Sequence, residues 1–176
     1  SPRRRSRPIR HWMTLELDRI TLPQASPDGL SPPDVSPAGR DALARLMLDA
    51  YRGTPDDAGE TLDDAKAEID RLFAGNYGTF DVAASNVRPA ADRIVAATLL
   101  TRDKLGPRGG TPTNDPFLAF SMTAADHKRR GLARQGLCVA LHSLRARGEQ
   151  RVHLVVSQNN PAAINLYASL GFAVRG

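Results

Sequence analysis

Three consecutive cations, Lys128, Arg129 and Arg130, run into Gly131, Leu132 and Ala133. The residues that follow have a helical pattern, with Leu137, Ala140, Leu141 and Leu144 on one face. The basic run therefore sits at a helix N-terminus. Backbone N–H groups there lack intrahelical partners, and the helix dipole adds partial positive charge. Gly131 and Ala133 have no bulk to hold a ligand off that backbone. The chemistry this suits is binding of a phosphate or pyrophosphate. The spacing is neither that of a Gly-x4-Gly-Lys-Ser/Thr phosphate loop nor that of a Gly-x-Gly-x-x-Gly dinucleotide turn. A second group begins at Asn160-Pro161 and runs to Leu170-Gly171-Phe172. Asn160 suits an N-cap and Pro161 a first helical position. Ala163 and Tyr167 are four apart and share a face, which leaves a slot beside the phenol. A phenol can donate a proton to a departing anion.

The elements that must position these residues can be read from pattern and punctuation. Alternation predicts a strand over residues 9–20, with Trp12 as its anchor, and a Pro/Ser/Asp-rich loop over 21–35. Ser36-Pro37 starts a helix that puts Leu43, Leu46, Met47, Ala50 and Tyr51 on one face and stops at Gly53. An acidic loop follows. Thr61 with Asp64 resembles a capping box, and the helix it opens ends near Gly75. Strands are expected at 79–84, 94–101 and 117–122, with a Gly/Pro-rich loop before the third. A helix over about 132–147, a strand at 152–156, a helix at 161–170 and a short strand at 172–176 complete the chain. The order is β-α-α-β-β-β-α-β-α-β. Its last β-α-β unit requires a parallel pair, so the fold class is α/β with a mixed sheet.

The chain has 176 residues, enough for one ordinary domain, expected over 9–176. Its single cysteine, Cys138, excludes an internal disulfide and reads as packing rather than as a nucleophile. The formal net charge of +5 matches an N-terminal arm, residues 1–8, expected to be disordered, together with Arg10. That arm lacks the apolar stretch of an export signal, and no run approaches the roughly 20 apolar residues of a membrane span. A cytoplasmic protein with no membrane partner is therefore expected. Five arginines without interleaved aromatics give weak, sequence-blind contact with nucleic acid at best.

The two groups resemble the GCN5-related N-acetyltransferase (GNAT) superfamily. Its loop pattern, Arg/Gln-x-x-Gly-x-Gly/Ala, is matched by Lys128, Gly131 and Ala133, with Lys in the first position. Its later pattern is matched by Asn160, Ala163, Tyr167, Leu170, Gly171 and Phe172. The resemblance implies a GNAT-like acyl-CoA N-acyltransferase fold that takes acetyl-CoA and a primary amine. It places the pantetheine arm along Ser121, Met122 and Thr123, with the oxyanion held by a backbone N–H near Met122. The pyrophosphate falls on the amides of Lys128, Arg129, Arg130, Gly131, Leu132 and Ala133. Asn160 is placed beside the pantetheine, and Tyr167 beside the sulfur as general acid. Relatives continue for two strands past Leu-Gly-Phe, so a truncated C-terminal strand is expected. The edge it leaves could stay open or pair with a second copy in a homodimer.

Two features fall outside this pattern. The strand before the basic loop carries no carboxylate, which leaves Asp56, Asp57 and Glu60 of the acidic loop as candidate bases. His142, His153 and the adjacent pair Asp126-His127 have no metal-ligand spacing. The competing readings are a non-catalytic acyl-CoA sensor and a nucleic-acid- or ribosome-associated protein that uses the arginine arm.

Overall fold

Ser36 and Thr61 open the first two helices as their side chains require. Ser36 Oγ accepts the Gly39 N–H at 3.3 Å at the start of α1 (Pro37–Tyr51). Thr61 and Asp64 form the reciprocal capping box of α2 (Leu62–Phe73). The computed structural model describes residues 9–106 and 109–175. The arm expected at residues 1–8 lies outside them. The remaining helices are α3 (Leu132–Ala146) and α4 (Pro161–Ser169). The strands are β1 (Arg10–Glu16), β2 (Thr79–Phe80), β3 (Asn86–Ala90), β4 (Arg93–Arg102), β5 (Pro116–Thr123), β6 (Arg151–Ser157) and β7 (Ala173–Val174). Among the described residues no helix is long and apolar enough to cross a membrane.

The seven strands form one mixed sheet in the order β2-β4-β5-β6-β1-β7, with β3 also paired to β4. The structure adds one strand to the expected order, β3, and shortens three of the expected ones, the last to Ala173–Val174. The first strand ends at Glu16, where Leu17–Arg19 tightens into a 3-10 turn. The stretch at 79–84 holds its ladder for two residues, and the pairing resumes at β3. Pro89 argues against a strand by sequence. It is tolerated because β3 is an edge strand, with a register irregularity at Arg88/Pro89.

The largest correction concerns the edge beside β6. It is filled from within the chain, and the sheet ends instead at the two-residue β7. β1 pairs antiparallel with β6 along its full length, from Arg10↔Ser157 to Glu16↔Arg151. β7 then pairs with the far side of β1 at Met13↔Val174 and Thr14↔Ala173. The first strand therefore lies between the last two.

Each face of the sheet buries its own apolar layer. α3 and α4 cover Leu118, Val152, Leu154 and Leu100 on one face. α1 and α2 cover Val95, Leu99 and Met122 on the other. Gly136 lets α3 lie close to the sheet. Its carbonyl accepts from Asn86 Nδ2 at 2.9 Å, and a Cβ there would sit 2.6 Å from Thr98 Oγ1 and 3.0 Å from Asn86 Oδ1. Alanine would gain about 1 kcal/mol in helix propensity. Overpacking against a buried threonine costs about 1–3 kcal/mol, so the clash wins. Gly136→Ala is expected to lower the urea midpoint without changing the slope. An unchanged or higher midpoint would mean that α3 can lift off the sheet at no cost.

Candidate functional site

β5 and β6 are parallel neighbours that pair at two positions, Phe117↔His153 and Leu118↔Leu154, and then separate. The cause lies in β5. Its register with β4 passes from Leu100↔Leu118 to Leu99↔Phe120, so Ala119 is an extra residue. Such a bulge bends and twists the strand that carries it. Past Ala119, β5 stays with β4, while β6 stays with β1. Strand alternation settles which backbone groups line the gap. The Ala124 N–H donates to Val95 O at 2.8 Å. The Met122 N–H is therefore directed to β4, and the Ser121 and Thr123 groups face the gap. The Gln158 N–H donates to Ile9 O at 2.8 Å, which turns Val155 and Ser157 towards the gap from the other lip. Of the three predicted strand residues, Ser121 and Thr123 present backbone here. Met122 instead buries its side chain under α1 and α2.

Tyr167, on α4, reaches the Ser121 side chain on the β5 lip of this gap. Asn160 fixes the helix that carries it, since its Oδ1 accepts the Ala163 N–H at 3.2 Å. The phenol ring is buried at 9% exposure and meets Phe172 edge-on at 5.9 Å. Burial pushes its pKa up to about 12, and the Ser121 hydroxyl opposes that shift. Two further tyrosines approach from the opposite face. Tyr77 packs against Phe120 at 5.5 Å and donates its hydroxyl to Glu68, which also pairs with Arg71. Burial first, and then Glu68, push Tyr77 to about 12. Tyr51, the last residue of α1, is raised further by burial, with smaller effects from Tyr167, Asp56, Glu68 and Tyr77.

The basic loop forms the third part of the site. Gly131 is the N-cap of α3, with φ of 76°, and no side chain caps the helix. A Cβ there would meet nothing within 4 Å, so the helix end is open. Arg129 and Arg130 are exposed beside it, and Leu132 and Ala133 form its first turn. The sequence places three cations around this turn; the structure keeps two. The Lys128 ammonium instead donates to Ala50 O at 2.7 Å, at the C-terminal end of α1. A cation there complements the helix dipole, worth about 0.3–1 kcal/mol. Asp49 accepts the Ala125 N–H at 2.9 Å in return.

The candidate bases of the acidic loop are engaged in shaping it. Asp57 accepts the Gly53 and Gly59 N–H groups at 2.9 Å each, and Glu60 accepts from Ala58 at 3.0 Å. Asp56 is left as the carboxylate of that loop near Tyr51. Asp126 and His127, though adjacent, do bond at 2.8 Å. Arg93 grips the same carboxylate at 2.6 Å, and these two partners hold Asp126 at about 2. Sequence reasoning missed one cluster. His153 lies between Asp115 and Thr14, 2.8 Å from each, and its ring packs against Trp12, which in turn packs against Phe117. No local signal joins Thr14 on β1, His153 on β6 and Asp115 just before β5. Cys138 is buried in the α3 packing layer, as expected. Among the described residues no three His, Cys, Asp or Glu side chains converge on a metal site.

Comparison with known proteins supplies the frame for this geometry. Residues 41–172 match the Acetyltransferase (GNAT) family. No curated protein matches the chain significantly. Among solved structures, protein PH1933 of Pyrococcus horikoshii OT3 superposes with a TM-score of 0.66 at 20% identity, over 84% of this chain and 89% of that one. A GCN5-related N-acetyltransferase from Sphaerobacter thermophilus gives 0.63 at 19% identity, over 96% of this chain and 50% of that one. An aminoglycoside N-acetyltransferase in complex with CoA gives 0.57 at 14% identity, over 87% and 92%. At these identities the likeness is one of fold.

The raised phenols predict a titration. The chain has three tyrosines, and all three are shifted upward. A folded-state pKa above the unfolded value of about 10 leaves stability complete below pH 10 and erodes it as pH rises towards 12. Phenolate absorbance is therefore expected to stay flat through pH 10 and to rise only as the fold is lost. A phenol that ionises near 10 in the folded chain would contradict the burial described.

Proposed function

The chain belongs to the acetyltransferase (GNAT) family, and on that footing we propose that it moves the acetyl group of acetyl-CoA directly to a primary amine. One observation carries this reading: the chain runs from the end of β5, where it has parted from β6 and where Ser121 meets the Tyr167 phenol, directly into the uncapped start of α3. An extended ligand that carries an anion at one end and a reacting group at the other fits both. Residues 9–176 would form the transferase domain.

The residues present suit acetyl-CoA. The backbone of Ser121 and Thr123 offers strand-like pairing to the amides of a pantetheine arm. The free N–H groups of Gly131, Leu132 and Ala133, with Arg129 and Arg130 beside them, offer a pyrophosphate its charge complement. Asn160 contributes by capping α4 and so fixing Tyr167.

When bound, acetyl-CoA would supply an activated acyl group, and the chain's own residues would orient and stabilise it. Amine attack builds negative charge on the carbonyl oxygen. Alternation along β5 makes the Ser121 and Thr123 N–H groups the donors that face the gap, in place of Met122's own N–H. Tyr167 serves the departing sulfur. At about 12 its pKa lies above that of a thiol, about 8.5, so it holds its proton tightly and acts chiefly by donating a hydrogen bond. That limits its contribution to the low end of acid catalysis, about 10²-fold.

Calorimetric titration with acetyl-CoA tests the binding, with Gly131→Asp and Gly131→Asn as a pair. Both residues tolerate the left-handed backbone at φ of 76°. They differ in charge, so the aspartate is expected to weaken binding about tenfold more than the asparagine. Equal losses would remove the anion site. Primary amines, aminoglycosides included, can then be screened for CoA release. Tyr167→Phe is expected to lower turnover about 10²-fold and leave acetyl-CoA affinity nearly unchanged. If acetyl-CoA binds but no amine ever releases CoA, the site is a sensor rather than a transferase.

A further inference from the structure

Two side chains tie the basic loop to α1, and they do so in opposite directions. Lys128, from the loop, donates to Ala50 O at 2.7 Å, and Asp49, from α1, accepts the Ala125 N–H at 2.9 Å. Each bond joins a side chain of one element to the backbone of the other. Together they fix the last turn of α1 against the turn that precedes α3. The next residue along α1 is Tyr51, whose phenol shares its surroundings with Tyr167, Tyr77 and Glu68.

A lysine beside an open helix start would ordinarily serve an anion. This lysine has turned away from that start to the carbonyl end of another helix, where a cation is also favoured. All three of the loop's cations are exposed, but Lys128 alone of them is engaged, through its bond to Ala50 O. The two arginines can therefore serve a ligand without unmaking a contact, and the lysine cannot.

We propose that Lys128 and Asp49 form a two-way strut that couples the anion-binding loop to the end of α1, so that Lys128 is a positioning residue and not a phosphate ligand. The inference rests on the reading of the loop as the CoA pyrophosphate site. Binding that orders the loop is then transmitted to the α1 terminus and to Tyr51, and the acceptor side of the gap is set only once the acyl donor is in place.

The test uses the full chain, with CoA as the probe. Calorimetry measures affinity, and amide hydrogen exchange measures protection at residues 47–54. In the parent protein, CoA is expected to slow exchange at 47–54 by about tenfold. Lys128→Met keeps the length and removes the charge. It should bind CoA within about threefold of the parent, with an unchanged salt dependence, yet lose the CoA-induced protection of α1. Lys128→Arg should restore that protection, and Asp49→Ala should abolish it with the lysine intact. The proposal is overturned if Lys128→Met weakens CoA about tenfold with a shallower salt slope while α1 still responds, which is how a phosphate ligand behaves. It is equally overturned if CoA never protects 47–54 in the parent. A chain that binds no CoA would instead sink the cofactor reading. Exchange without ligand would then decide the strut, which requires faster exchange at 47–54 in Lys128→Met.

Discussion

Ala119 has no partner on β4, and that one surplus residue bends β5 away from β6. Had the ladder run on regularly, Phe120 and Met122 would face β6 and bond to Val155 and Ser157, and the sheet would be closed. With the bulge in place, two strand edges face each other without pairing, and a polar, extended ligand has somewhere to lie. The buried phenol of Tyr167, the exposed start of α3 and the last turn of α1 all take their meaning from this gap.

Strands that separate must be held from outside. β5 is held by β4 through seven register pairs, and β6 by β1 through another seven. His153 sits near the point of separation and is bonded to Asp115, just before β5, and to Thr14 on β1. Its two ring nitrogens thus link the chain before β5, β6 and the strand that supports β6. The Trp12 ring packs against it and against Phe117. The hinge of the cleft thus has a bonded polar group on one face of the sheet and the apolar layer of Met13, Leu118 and Leu154 on the other.

How much of this was legible in the sequence depends on how local each feature is. Ser36, Thr61 with Asp64, and Asn160 were read correctly because a cap involves residues three apart. Gly131 was legible for the same reason. The family and fold class could be read because the residues from Lys128 to Phe172 keep fixed spacings in one continuous stretch. The partners of Lys128 and His153 were not legible, since 78 and 139 residues separate them from Ala50 and Thr14. β3 was hidden by Pro89, a residue whose penalty vanishes at a sheet edge. The bulge left no mark at all, since an alanine in a strand looks the same paired or unpaired.

The position of β1 between β6 and β7 has a consequence for how the molecule forms. Its partners on β6 lie some 140 residues later in the chain, from Arg10↔Ser157 to Glu16↔Arg151. During synthesis, β1 emerges well before both of its partners and stays unpaired until β6 has left the ribosome. Met13 and Leu15, both fully buried at the end, are exposed through that interval. The antiparallel block of β3, β4 and β5 can assemble early from near neighbours, and the closure of the sheet by β1 and β7 must come last. Non-local closure of this kind slows folding and lengthens the time that an apolar edge is open to other chains.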